Sequence, residues 1–354
     1  MYNALLHVIV RDGLVDEDFV AQRVNEFEAV AKAVRDWTPE RQEALTGIPA
    51  AHIERAAHLI GEADTTAFYW GLGISEHTHG TEACLTLINL CLATGNVGRR
   101  GTGLNPLRGQ NNVQGTSDVG AIPMYFTDYR SVEDAAVRGF FEQQWGVPLP
   151  SRPGLTTIEI GDAAGRGDVR GMYIMGENPL MSDPDLHAAR EHFGNLDFLV
   201  VQDIFMTETA EIADVVLPAS SWAEKDGTYT NTDRRVQRVR PVLELPGEAR
   251  EDWAITADLS RRMGRDLGLH SPSQIFDEIA SVTPSHAGLS YARLDKEGGI
   301  RWPCLTPDDP GAQWLFGDRF PTDDGRATMH PVEWRENVEI PDAEYPFIFN
   351  TGRV

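Results

Sequence analysis

The feature that most constrains this chain is a unit that recurs along it: a short apolar run, a glycine-bearing turn, then a stretch of helical period. "TTAFYWG" is the first apolar run, "GLGISEHTHG" its loop, and "GTEACLTLINLCLATGNVG" the helical stretch, which stops at Gly95. "VRGMYIMGENP" followed by "DPDLHAAREHFG" repeats the order, and "LDFLVVQD", "TETAEIA" and "DVVLP" repeat it again. A crossover helix returns each strand to the same direction, so strands alternating with helices imply parallel sheets with helices on their faces. The expected class is α/β. In such sheets ligands bind beyond the carboxyl ends of the strands. Here those ends are residues 71–73, 176–179, 202–203 and 218–220, and they are the first candidates for site-building loops.

Upstream, residues 17–60 read as helices. "TPERQEALTG" has Thr38 to cap a helix, Pro39 at its first position and Gly47 after its last turn. From about residue 223 the pattern loosens into a polar, turn-rich α+β segment, and residues 285–345 have no sustained period. "DRRVQRVR" within it reads as a solvated strand most of whose arginines pair with nearby carboxylates. The last ten residues, "YPFIFNTGRV", read as a strand with a glycine turn.

Composition excludes several classes. The formal net charge of −23 disfavours nucleic acid and anionic membranes as partners. No run approaches the roughly 18 apolar residues of a membrane helix, so no direct membrane insertion is expected. The opening "MYNALLHVIVRDGLVDEDFV" has no basic region ahead of an apolar core, which points to a cytoplasmic address. Three cysteines make no disulfide framework, and no Cys-x-x-Cys offers a zinc or iron–sulfur site. Cys84 and Cys91 lie seven apart on one helix face, as core thiols do. His77 and His79 alternate in a loop, but no third ligand is nearby, and no metal ligand is assigned.

Two loops hold the chemistry. In "IMGENPLMSDPD", Gly176 follows a strand and a helix opens soon after, so backbone and helix N-terminus can approach an anion. The spacing is not G-x-G-x-x-G, so a nicotinamide cofactor is not indicated. Asp203 ends the next strand, where a carboxylate either caps a helix or accepts from a ribose or base. The second loop, "LNPLRGQNNVQG", gathers Arg108, Gln110, Asn111, Asn112 and Gln114 with little that packs.

In order along the chain, "YWGLGISEHTHGT", "ATGNVGRRGTGLNPLRGQNNVQGTSDVGAIP", "YIMGENPLMSDPD", "VVQDIFMTETAEIADVVLPASSWAEKDGTYTNTDRRVQ" and "EDW" resemble the catalytic alpha subunit of molybdenum- or tungsten-dependent formate dehydrogenases. These belong to the dimethyl-sulfoxide-reductase superfamily of molybdopterin oxidoreductases. The "PLRGQNNVQG" string, with "WPC" at Cys304, points to formate dehydrogenase within it. The resemblance covers essentially the whole chain. It implies part of a molybdopterin oxidoreductase fold with Rossmann-like sheets. Residues 1–110 would belong to one α/β dinucleotide-binding domain and 111–222 to a second. Residues 223–344 would form an irregular connecting segment with helices, and 345–354 the start of a cap domain.

The resemblance also implies two pterin guanine dinucleotides gripping one molybdenum or tungsten, with formate as substrate. Carried over by position, Leu72, Gly73 and Glu76 line one dinucleotide, although the family often has glutamine where this chain has Glu76. Gly176, Asn178, Ser182, Gln202, Asp203, Lys225 and Asp252 surround the second. Thr351, Gly352 and Arg353 reach the cofactor from the cap domain. Arg108 holds the formate carboxylate beside the metal, a task suited to the planar guanidinium fork, and Gln110 contacts the pterin. Family members carry a 4Fe–4S cluster in an N-terminal domain and a cysteine or selenocysteine on the metal. Nothing matching precedes Cys84, so the chain is expected to be a fragment, inactive alone, of an oxidoreductase served by electron-transfer subunits. Two rival readings are another reductase of the superfamily, such as one for nitrate, and a non-catalytic relative in respiratory NADH dehydrogenase.

Overall fold

The computed structural model describes residues 1–349 of the chain; Thr351, Gly352 and Arg353 lie outside them. Contacts gather into two compact units, one made of residues 1–109 with the described residues from Gln313 onward, the other of Gln110–Ala312.

The first unit is built around the helix Tyr2–Arg11, whose Ala4, Leu5, Leu6, Val8 and Ile9 are buried. Helices Phe27–Val34, Ala50–Gly61 and Gly80–Ala93 pack on it, contributing Val30, Val34, Ile53, Ala57, Leu87 and Leu90 to one core. The helix Pro39–Thr46 starts and stops as the sequence indicates: Thr38 Oγ1 accepts from Arg41 N at 3.3 Å, Pro39 takes the first position, and Gly47 closes it in a left-handed conformation. Two strands, Ala67–Trp70 and Gly103–Pro106, run parallel with Trp70 opposite Pro106. A second parallel pair, Val24–Asn25 with Ala327–Thr328, joins early and late parts of the chain.

The second unit holds a three-stranded parallel sheet in which Phe198–Asp203 lies between Gly171–Met175 and Val215–Pro218. Helices Thr157–Gly165 and Leu186–Gly194 pack against each other beside it in sequence. Ile174, Leu180, Ala189, Phe193, Leu199 and Val201 form its core. The expected alternation of strand, turn and helix is what the chain adopts. An antiparallel sheet of Gly227–Thr230, Arg235–Val239 and Ile300–Arg301 covers a second core of Val236, Phe276, Leu294 and Ile300. Most arginines of "DRRVQRVR" do pair with carboxylates: Arg238 bridges Asp226 at 2.6 Å and Asp295 at 3.0 Å, Arg240 pairs with Asp295 and Arg235 with Asp233 at 3.8 Å, while Arg234 donates to the backbone carbonyls of Trp302 and Ala312.

Three features differ from the sequence reading. The strand Gly103–Pro106 lies inside a stretch that looked like loop. Residues 223–312 close onto the second unit and those from Gln313 onward onto the first, so the stretch 223–344 is divided between two bodies. Among the described residues, 345–349 form no strand, and Phe347 and Phe349 stand 87% and 91% exposed; the rest of the expected strand and its glycine turn lie outside the described residues.

Candidate functional site

In the first unit the candidate residues converge because two parallel strands end side by side. Leu107 N donates to Trp70 O at 2.7 Å, which brings the turn after Trp70 beside the turn after Pro106. Leu72 and Gly73 open the short helix Leu72–Ser75, and Glu76 follows it. Arg108 stands in the adjacent turn, so the structure places Leu72, Gly73, Glu76 and Arg108 at one sheet end, all exposed. The loop packs closely on the helix that follows, because Gly80 admits the Ser75 carbonyl where a side chain would sit: a Cβ there would lie 1.9 Å from Ser75 O. Among the described residues the ring nitrogens of the neighbouring histidines bond to backbone, His77 Nε2 with Gly73 O at 2.9 Å and His79 Nε2 with Glu336 O at 3.3 Å.

In the second unit Gly176 ends its strand at φ +64°, with open space where a Cβ would point. Only glycine takes that conformation without strain, and the open space leaves backbone accessible to a ligand. Asn178 does not project freely. Its Nδ2 donates to Glu208 Oε2 at 2.7 Å and its Oδ1 accepts from Thr209 N and Oγ1, tying the Gly176 loop to the start of the short helix Glu208–Glu211, which follows the strand Phe198–Asp203. Ser182 Oγ donates to Glu177 Oε1 at 2.6 Å, inside the same loop. Asp203 Oδ1 accepts from Ile204 N at 2.6 Å and Phe205 N at 3.1 Å, so it caps the turn that follows its strand. Oδ2 of Asp203 has no partner among the described residues.

Gln202, Lys225 and Asp252 form one network. Gln202 is fully buried; its Nε2 donates to Asp252 Oδ1 at 2.7 Å. Lys225 Nζ donates to Asp252 Oδ2, which also accepts from Ser220 Oγ at 3.3 Å. Tyr173 OH donates to Gln202 Oε1. Burial and the nearby Asp252 charge both push the Tyr173 hydroxyl pKa up, so it stays protonated as a donor. Tyr173 was not singled out from sequence, and Ser220 entered only as the end of the candidate loop 218–220. Tyr173 sits in the middle of the strand Gly171–Met175, where alternation sets the face its side chain takes, a signal present in "GMYIM" but unremarkable alone. Gln110 lies in an exposed bend before the helix Val113–Asp118 and makes no side-chain hydrogen bond among the described residues.

The donor set suits a nucleotide. An open glycine turn, a spare carboxylate oxygen at a strand end and an orienting Lys–Asp–Gln network supply backbone N–H groups for phosphate and acceptors for ribose or base. Among the described residues no helix is long and apolar enough to cross a membrane.

Comparison with known proteins gives three findings. The molybdopterin oxidoreductase family matches residues 1–262. The chain is 45% identical over 356 residues to the F420-dependent formate dehydrogenase subunit alpha of Methanocaldococcus jannaschii, covering 100% of this chain and 52% of that protein. It is 39% identical over 356 residues to formate dehydrogenase H of Escherichia coli, covering 100% of this chain and 50% of that protein. The chain thus spans about half the length of the curated relatives it matches. Among solved structures, acetylene hydratase from Pelobacter acetylenicus superposes with a TM-score of 0.63 at 19% identity, over 83% of this chain and 43% of that one, a likeness of fold.

Proposed function

Because the chain belongs to the molybdopterin oxidoreductase family, we propose that it forms part of the catalytic alpha subunit of a formate dehydrogenase and that the whole protein oxidises formate to carbon dioxide. The observation that carries this reading is the 45% identity to a formate dehydrogenase alpha subunit along the whole chain. A molybdenum or tungsten ion held by two pterin guanine dinucleotides would supply the two-electron acceptor. The chain's own residues would bind and orient. Leu72, Gly73 and Glu76 would line one dinucleotide. Gly176 would present backbone to the other, with Asn178 and Ser182 holding that loop in shape. Asp203 Oδ2 and Asp252 would accept from ribose or guanine, the latter kept in place by Gln202 and Lys225. Thr351, Gly352 and Arg353 would add contacts from the cap domain.

Arg108 would clamp the formate carboxylate through two parallel N–H···O bonds, turning the C–H bond toward the acceptor. Gln110 would hold the pterin. A 4Fe–4S cluster outside this chain and electron-transfer subunits would carry electrons away, in the cytoplasm. Formate-dependent dye reduction by the cofactor-loaded full-length enzyme tests the reading. Turnover with formate and none with nitrate is the expected result. Nitrate reduction without formate oxidation would move the protein to another reductase class, and a pure protein without metal or pterin would make it a non-catalytic relative.

A further inference from the structure

The amide loop ends where the helix Val113–Asp118 begins, and that helix is held by a buried carboxylate that no step above uses. Asp118 is 1% exposed. Its Oδ1 accepts from Gln114 Nε2 at 2.7 Å and Tyr129 OH at 2.9 Å, and its Oδ2 from Trp302 Nε1 at 2.7 Å. The three donors come from three separate stretches of the second unit. Burial, with a smaller push from the Asp128 charge, holds the Asp118 carboxyl pKa above its usual value against the opposing pull of these three bonds.

The surroundings of this carboxylate are over-determined. Asp128 and Tyr129 both take left-handed backbone, at φ +58° and +55°. Two successive non-glycine residues stay there only when their neighbours insist on it, and such strain collects at functional sites. Here Asp128 Oδ2 accepts from Ser285 N at 2.9 Å, its Oδ1 accepts from the Ser285 hydroxyl, and Ser285 Oγ lies 2.8 Å from His286 Nδ1. The buried His286 ring stacks on Trp302 with centroids 6.3 Å apart. The upstream end of the helix is fixed as well. Asn112 sits at φ +61°, and its Oδ1 accepts from Thr230 N at 2.9 Å. Gly115 makes room for it, since a Cβ there would lie 2.2 Å from Asn112 Oδ1.

A satisfied buried network stabilises any core, and that alone would be the ordinary account. What singles this one out is its place in the chain. Residues 107–111 are all exposed, and the first element downstream of them that buried side chains hold is the helix Val113–Asp118. We infer that Asp118 is a positioning residue for Gln110 and the downstream half of the amide loop, acting through Gln114, Tyr129 and Trp302 without touching substrate or cofactor. Only what the loop binds rests on the function proposed above; the anchoring itself does not.

Two measurements test it, on Tyr129→Phe, Trp302→Phe and Asp118→Asn. The two phenylalanine variants each remove one donor while keeping a ring, so they remain informative if Asp118→Asn fails to fold. In the 354-residue chain, amide exchange over residues 113–119 should speed about tenfold, the loss of one hydrogen bond to a charged group. The strand Phe198–Asp203 should keep its rates. In the cofactor-loaded full-length enzyme, kcat should fall about fivefold or more with the formate KM little changed, because Gln110 would touch the pterin and not formate. Equal acceleration throughout the unit would reduce the network to core stability and overturn the inference. Unchanged exchange at 113–119, or unchanged kcat, would overturn it too. Absence of formate turnover in the unsubstituted enzyme would count against the formate reading alone, and the exchange data would then decide the anchor.

Discussion

A guanidinium and an ammonium carry the same charge but not the same geometry, and Arg108 is where that difference should be measurable. An ammonium attracts formate without fixing its plane, so Arg108→Lys in the cofactor-loaded enzyme should lose turnover by more than it loses substrate affinity. A misplacement of about 1 Å is worth on the order of a hundredfold in rate. Steady-state kinetics with formate and a dye would show this as a kcat drop exceeding the KM rise; near-normal kcat would demote Arg108 to general electrostatics. His286 offers a residue-scale test that needs no cofactor. Burial pulls its pKa down to about 4 from the usual 6.5, against the weaker opposing pull of Asp128. The folded chain therefore resists a proton that the unfolded chain takes up. Stability is whole above pH 6.5 and is lost as pH falls toward 4, by about 3 kcal/mol at the acid end. Asp118, whose carboxyl pKa is raised, takes up its proton more readily when folded and opposes this loss at the lowest pH. Denaturant unfolding at stepped pH should show the slope in the native enzyme and a flatter one in His286→Gln. Single residues at strand ends were legible in the sequence, as Gly176 and Asp203 illustrate. Their partners were not: Gln202 and Asp252 lie 50 positions apart, and nothing in either local sequence announces the bond between them.

Among the elements, the alternation of apolar strand and amphipathic helix was legible because its periods differ, 2 against 3.6. The strand Gly103–Pro106 was hidden because "GLNP" lacks every β-former but leucine. It exists through partners: Asn105 Nδ2 donates to Phe68 O at 3.2 Å and to Gly103 O at 3.0 Å, substituting side-chain bonds for β propensity. Gly80 shows how one element constrains a loop. In Gly80→Ala the new methyl would meet the Ser75 carbonyl, which is backbone and cannot rotate away, so the turn bearing Leu72, Gly73 and Glu76 must move. A cost of about 1–3 kcal/mol is expected, typical of overpacking, read as a lower denaturation midpoint. A midpoint equal to that of the unsubstituted chain would mean the turn yields freely and is not set by that contact.

At the scale of the whole molecule, the chain spans about half the length of the formate dehydrogenase relatives it matches. The isolated 354-residue chain is therefore expected to hold well under one molybdenum or tungsten per chain, measurable by elemental analysis after gel filtration. A stoichiometric metal would show that these residues suffice. The loosening of composition near residue 223 marks no boundary between the units, which change over after Gly109 and again after Ala312, and the return of the late chain to the first unit was not legible, since two-residue strands leave no periodic trace. That return has a consequence in time. Arg326 donates to Val24 O across 302 residues and also to Ala21 O and Gln22 O, and Met329 is 1% exposed in the core that Val24 shares. At roughly 5–20 residues per second of synthesis, Val24 waits about 15–60 seconds for these partners. The second unit, contiguous in sequence, is free to finish while the first stays open on the ribosome. For that interval the growing polypeptide exposes an unclosed hydrophobic surface, and its safe delivery depends on whatever shields nascent chains in the cell.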